Sequence, residues 1–91
     1  MAERILTEED KTRIISSVYS NVKKLKIATS IHALKESTAD ELSGRTGIKA
    51  NLITTYLKEM ENAGIMETRR ESYFIYYRLT SFGEKIVTLF N

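Results

Sequence analysis

The sequence predicts a mainly α-helical domain with one small β-hairpin towards its C-terminal end. Apolar residues recur at helical spacing over most of the chain, and capping residues and glycines divide that pattern into segments. Two runs rich in β-branched and aromatic residues, "IMETRR" and "YFIYYRL", flank the polar turn "RES". Ninety-one residues suffice for one small core, so residues 1–91 are expected to form a single domain.

The first third changes phase. Ile14, Ile15, Val18, Tyr19, Val22 and Leu25 form one apolar stripe, whereas Ile27, Ala28, Ile31 and Leu34 form another. At about 100° per residue, the second stripe points roughly opposite to the first if the helix is continuous. Either the chain breaks around Lys23 to Lys26, or one helix serves two different surfaces. With no glycine or proline there, a long or gently broken helix is favoured.

Thr38, followed three residues later by Glu41, reads as a capping box opening a short helix that ends near Gly47. The next helix buries Ile53, Leu57 and Met60, with Tyr56 beside them, and leaves Asn51, Thr54, Thr55 and Lys58 on its other side. Gly64 suits the left-handed residue just past its end, and Ile65 can fold back onto its last turn. In the hairpin, Ile75, Tyr77 and Leu79 alternate with Phe74, Tyr76 and Arg78, so one set should face the core. Thr80 is the expected N-cap of a final helix, "SFGEKIVTLF".

Several function classes find no support. Without cysteine, and with His32 alone, the chain has neither disulfides nor the ligands of a usual transition-metal site. No apolar run approaches the ~20 residues that span a bilayer, so a soluble cytoplasmic protein without membrane contact is expected. No nucleophile, base and orienting group can be assembled and no phosphate-binding glycine loop is present, which points to a non-enzyme without a cofactor. His32 reads as a structural residue, and Asp40 and Glu41 point apart on their helix and suit its first turn. The "YFIYY" cluster could stack on single-stranded nucleic acid, but strand alternation explains it more simply. The formal charge of +2 permits a nucleic-acid partner without requiring one. Position is more telling: Lys49, Lys58, Arg69 and Arg70 fall on the second helix of the pair and on the hairpin.

Helix, short helix, turn, second helix and hairpin, in that order, resemble the winged helix-turn-helix. The stretch "TADELSGRTGIKANLITTYLKEMENAGIMETRRESYFIYYRLTSFGEKI" is similar to the DNA-binding core of the ArsR and MarR families of transcriptional regulators, in the style of compact archaeal and archaeal-virus members. Leu42 and Ser43 stand before the turn "TGI", and the following helix leads into "AGI", the wing and "YRLTSFG". The chain departs from that pattern in three places. Lys49 occupies the usual Ser or Thr N-cap, Gly44 lies inside the first helix of the motif, and the wing turn has no glycine, which argues against a short, tight tip. The cysteine or histidine clusters of metal-sensing ArsR members are missing, so metal sensing is not carried over.

The resemblance implies a recognition helix in the major groove of double-stranded DNA. Ala50 can touch a thymine methyl, Asn51 can bond adenine twice, and Thr54 and Thr55 can reach a base edge or a phosphate. Lys49 and Lys58 lie near phosphates, and Arg69, Arg70 and Tyr73 of the wing can reach the backbone or the adjacent minor groove. A homodimer on pseudo-palindromic DNA is expected, held by the N-terminal (about 7–25) and C-terminal (about 81–91) helices through Ile14, Ile15, Val18, Val22, Phe82, Ile86, Leu89 and Phe90. The alternative is a winged-helix protein-interaction module within a larger assembly.

Overall fold

A computed structural model describes residues 7–89 of the chain. The element order is α1 (Glu8–Tyr19), α2 (Val22–Leu34), α3 (Ala39–Thr46), α4 (Ala50–Asn62), β1 (Met66–Glu71), β2 (Phe74–Leu79) and α5 (Ser81–Thr88). The mainly α fold with one antiparallel hairpin is therefore as the sequence predicts. Phe90 lies outside the described residues.

Of the long or gently broken N-terminal helix that the sequence favours, the continuous version is not what forms, and the break lies before Lys23 and not within Lys23 to Lys26. The chain breaks at Ser20–Asn21, because Asn21 stops one helix and starts the next. Its Oδ1 accepts hydrogen bonds from the amides of Lys23 and Lys24 at 3.1 and 3.2 Å, a cap worth about 1 kcal/mol. The break lets both apolar stripes turn inward. Val18 is 1% exposed, and Ile27, Ala28 and Ile31 are completely buried, in the same cluster. Val18 thus has a place in the domain's own core, contrary to the expectation that its stripe serves a dimer interface. Tyr19 ties α1 to α5 by donating from Oη to the Ile86 carbonyl at 2.7 Å.

The expected caps all form. The Thr38–Glu41 capping box opens α3, and Thr80 Oγ1 accepts from the Gly83 amide at 3.1 Å to open α5. Gly44 lies in α3 at an ordinary helical φ with open space where a Cβ would stand. Gly44→Ala should therefore stabilise the domain by about 0.5–1 kcal/mol and raise its unfolding temperature by several degrees, which a thermal melt would read directly. A lowered melting temperature would mean that α3 needs the bare backbone there.

Gly64 takes the left-handed conformation at φ 80°, and the Ile65 amide returns to the Met60 carbonyl at 3.0 Å. β1 pairs with β2 in a register running from Met66 opposite Leu79 to Glu71 opposite Phe74. Only the base of the hairpin reaches the core, through the buried Met66 and Leu79 and the half-buried Tyr77. Ser37 adds a fragment of a third strand, exchanging two backbone hydrogen bonds with Tyr77 at 2.8 and 3.0 Å.

Candidate nucleic-acid interface

The turn between α3 and α4 is fixed by side chains that bond to their own backbone. Gly47, at φ 77°, donates its amide to the Ser43 carbonyl at 2.9 Å. Thr46 Oγ1 donates to the Leu42 carbonyl at 2.6 Å and accepts from the Ile48 amide at 3.2 Å. Ser43 Oγ donates to the Ile48 carbonyl at 2.6 Å. With Leu42 and Ile48 buried on either side, α4 leaves the turn in one direction.

Helix α4 is held from behind. Ile53, Leu57 and Met60 are at most 1% exposed, each contributing roughly 1.5–3 kcal/mol by burial. Lys24, whose side chain is mostly buried, adds an ion pair to Glu59 at 2.9 Å. The opposite face carries Ala50, Asn51, Thr54, Thr55 and Lys58, all exposed. Thr54 and Thr55 donate their hydroxyl protons to the carbonyls of Ala50 and Asn51, at 2.6 and 3.1 Å. With the protons so engaged, their oxygens keep acceptor capacity. Lys49 stands at the N-cap without a side-chain cap, so its ammonium remains available. The face is polar and exposed on a helix about 20 Å long over 13 residues.

The wing differs from expectation in two respects. Its tip is tight, with only Ser72 and Tyr73 between the strands, and Ser72 supplies the positive φ of 57° that glycine would usually provide. The second difference concerns Arg69. Its Nε and Nη2 form a double hydrogen bond with the carboxylate of Glu36, Nη1 donates to Glu71 at 2.7 Å, and the guanidinium lies 4.4 Å over the ring of Tyr76. The hydrogen bond from Arg69 holds the Glu36 carboxyl below its ordinary range, and the same bond raises Arg69 further. A depressed carboxyl favours the folded state above its unfolded pKa and loses that advantage as pH falls through the lowered value. The brace therefore persists below the pH at which a free glutamate takes up its proton. Arg69 fastens the wing to the α2–α3 connection, while Arg70 makes no ion pair among the described residues. Tyr73 is 96% exposed at the tip, where it is free to meet a partner.

Glu36 and Ser37, which hold the wing from the α2–α3 connection, are not legible in the sequence as site residues. The partners lie 33 residues apart for Arg69–Glu36 and meet only in the fold. His32 is structural, its Nδ1 lying 2.7 Å from Glu84 between α2 and α5. Among the described residues, no three His, Cys, Asp or Glu side chains are placed to hold a metal ion, and no helix is long and apolar enough to cross a membrane.

Five helices with a helix-turn-helix at α3–α4 and a two-stranded wing define the winged helix-turn-helix class. Among the solved structures that match are transcriptional regulators, one of them described as a winged helix-turn-helix. The transcriptional repressor BigR from Xylella fastidiosa is 27% identical, with a TM-score of 0.75 over 92% of this chain and 89% of that one. The homodimeric winged helix-turn-helix DNA-binding domain of Mb0332 from Mycobacterium bovis, a possible ArsR-family transcriptional regulator, is 25% identical with a TM-score of 0.72. That match covers 99% of this chain and 83% of the other. HlyU from Vibrio cholerae has a TM-score of 0.77 over 93% of this chain and 89% of its own, but at 20% identity it speaks to the fold alone. No protein-family model matches the sequence, and no curated protein does.

Proposed function

We propose that the chain is a sequence-specific regulator of transcription that binds double-stranded DNA as a homodimer. Helix α4 enters the major groove, and the wing lies on the flanking backbone or minor groove. The observation that carries this reading is the face of α4: Ala50, Asn51, Thr54, Thr55 and Lys58 exposed together on a helix whose other side is locked into the core. The repressor BigR and the DNA-binding domain of Mb0332 lend support as structural neighbours.

For the dimer, support comes from the homodimeric state of Mb0332 and from a groove of about 460 Å3 between α1 and α5. Ile15, Phe82, Ile86 and Leu89 line it. Ile86 is 1% exposed and belongs chiefly to the domain's own core, whereas Leu89 is 65% exposed and Val22 69%. Ile14, Ile15 and Phe82 are half-buried. A two-fold axis through this face sets two recognition helices on half-sites ~34 Å apart, on pseudo-palindromic DNA.

Asn51→Ala and Thr55→Ala should each flatten preference among DNA sequences, by roughly 1–3 kcal/mol where a paired base contact disappears, and leave folding intact. Selection of bound duplexes from a random pool, repeated with each variant, measures this. Unchanged preference in both would remove α4 from the reading. A second reading, a protein-interaction module, is favoured by the exposed Tyr73, Phe74 and Ile75 at the wing tip. Failure of the unmodified chain to bind any duplex at low salt would select it.

A further inference from the structure

We infer that Lys23 and Lys26 of α2, together with Lys49, form a second anchoring surface for the phosphate backbone of duplex DNA, separate from the wing. The inference rests on the DNA-binding reading and adds residues that the helix-turn-helix pattern does not assign.

These three lysines line one open concavity of about 600 Å3 with Val22, Thr46 and Gly47. No carboxylate lines it, and none of the three makes an ion pair among the described residues. Lys35, Arg45, Lys58, Arg70 and Lys85 also make no ion pair among the described residues, but none of them lines this concavity. Lys11, Arg13, Lys24, Arg69 and Arg78 each have a carboxylate partner within 3.7 Å. Three unpaired lysines thus share one concavity where the turn and the first residues of α4 meet α2.

The helix ends point the same way. α1 carries Glu8, Glu9 and Asp10 in its first turn, α3 carries Asp40 and Glu41, and α5 carries Glu84. The first turns of α2 and α4 have no acid at all. Acids suit a helix N-terminus and lysine opposes it, so placing lysine there is locally unfavourable unless an anion lies close by. Of the candidate anions, a polyphosphate strand fits best, because the lysines adjoin the helix face proposed to enter the groove. Lys49 belongs to both surfaces.

The geometry suits a duplex. Lys23 lies in the first turn of α2, whereas Ser37, which pairs with the wing, follows its last turn. The intervening helix spans about 20 Å. The major groove is about 12 Å wide. On this inference the lysines and the wing stand at opposite ends of α2, on different stretches of the phosphate backbone.

The test is a Lys23→Gln, Lys26→Gln double variant of the full chain, its affinity for duplex DNA measured over a series of salt concentrations beside the unmodified chain. The slope of log K against log salt should become shallower by about 0.9 for each phosphate left unneutralised, or roughly two units per subunit. Ranking of DNA sequences should stay the same, and the unfolding temperature of the free chain should hold or rise slightly, since lysine opposes the N-terminus of α2. An unchanged slope in a chain that binds DNA overturns the second anchor and leaves the regulator reading standing. A loss of ranking with no change in slope would also overturn it, since the lysines would then be acting through the recognition helix. An unmodified chain that binds no duplex would remove the regulator reading, and this inference with it.

Discussion

Leu89→Asp should leave the domain folded but turn a dimer into a monomer, and should lower affinity for a DNA site with two half-sites by about 10²–10⁴-fold. That corresponds to roughly 3–5.5 kcal/mol. The size of the effect comes from linkage. In a dimer the second recognition helix binds at the high effective concentration set by the first, and a monomer forgoes that advantage although its own half-site interactions are intact. Leu89 is the appropriate position because it is 65% exposed at the end of α5, where a carboxylate costs a monomer little. In a two-fold interface the same change buries two like charges near one another. Val18 would be a poor choice. At 1% exposure it is part of the core, and a charge there would unfold the domain whether or not it dimerises. Sedimentation of both chains at micromolar concentration gives the answer. An unmodified chain that is monomeric without DNA would exclude a stable dimer and leave only assembly on the operator.

Gly83→Ala should destabilise the domain by about 3 kcal/mol, although it adds a single methyl group. A Cβ built at Gly83 falls 2.1 Å from the Ile65 carbonyl oxygen and 3.1 Å from its carbon, both of them backbone atoms that cannot swing aside. Overpacking of this kind typically costs about 1–3 kcal/mol. The same oxygen accepts the Thr80 amide at 3.0 Å, so moving it also weakens a hydrogen bond of about 1 kcal/mol. The shift would propagate. Ile65 leads into the wing and Thr80 leads out of it, so weakened DNA binding should accompany the lower unfolding temperature. Denaturant melts of the two chains settle the stability, and an alanine variant as stable as the parent would show that α5 can ride outward without cost.

The residues most legible in the sequence are those whose partners are close in the chain. Thr38 and Glu41 cap across three residues, Ile53, Leu57 and Met60 recur at the helical period, and Gly64 sits where a helix must reverse. Each of these is a local rule, and each is met. The N-terminal break escapes a search for glycine and proline, because Asn21 does the same work by offering its side chain to the amides of Lys23 and Lys24. The tight wing tip escapes for a related reason, since Ser72 adopts a backbone conformation usually left to glycine. The exposed polar face of α4 follows from periodicity alone, and that is why Asn51, Thr54 and Thr55 stand out as candidates. Arg69 is legible as a wing cation but not as a braced one, because Glu36 stands on a different element and only the fold brings it near. The lysines of α2 leave a faint trace, a helix opening on "VKK" with no acid, which has meaning only once α2 and α4 are known to meet.

The uneven pairing of charge along α4 has a consequence for time rather than for affinity. At its far end Glu59 is matched by Lys24, while at its beginning Lys49 stands unmatched beside Lys23 and Lys26. The start of α4 therefore presents unpaired positive charge despite the formal charge of only +2. Drifting towards the uniformly negative surface of a duplex, the domain would be turned before contact, so that collisions arrive recognition-helix first and a larger share of them succeed. Association should then be fast in dilute salt and slow steeply as ions screen that charge, whereas on the proposed reading the lifetime of the bound complex should depend more on the short-range fit of Asn51, Thr54 and Thr55. On the proposed DNA-binding reading, how quickly the protein finds DNA and how long it stays at one sequence would be governed by different residues, and each could change without altering the other.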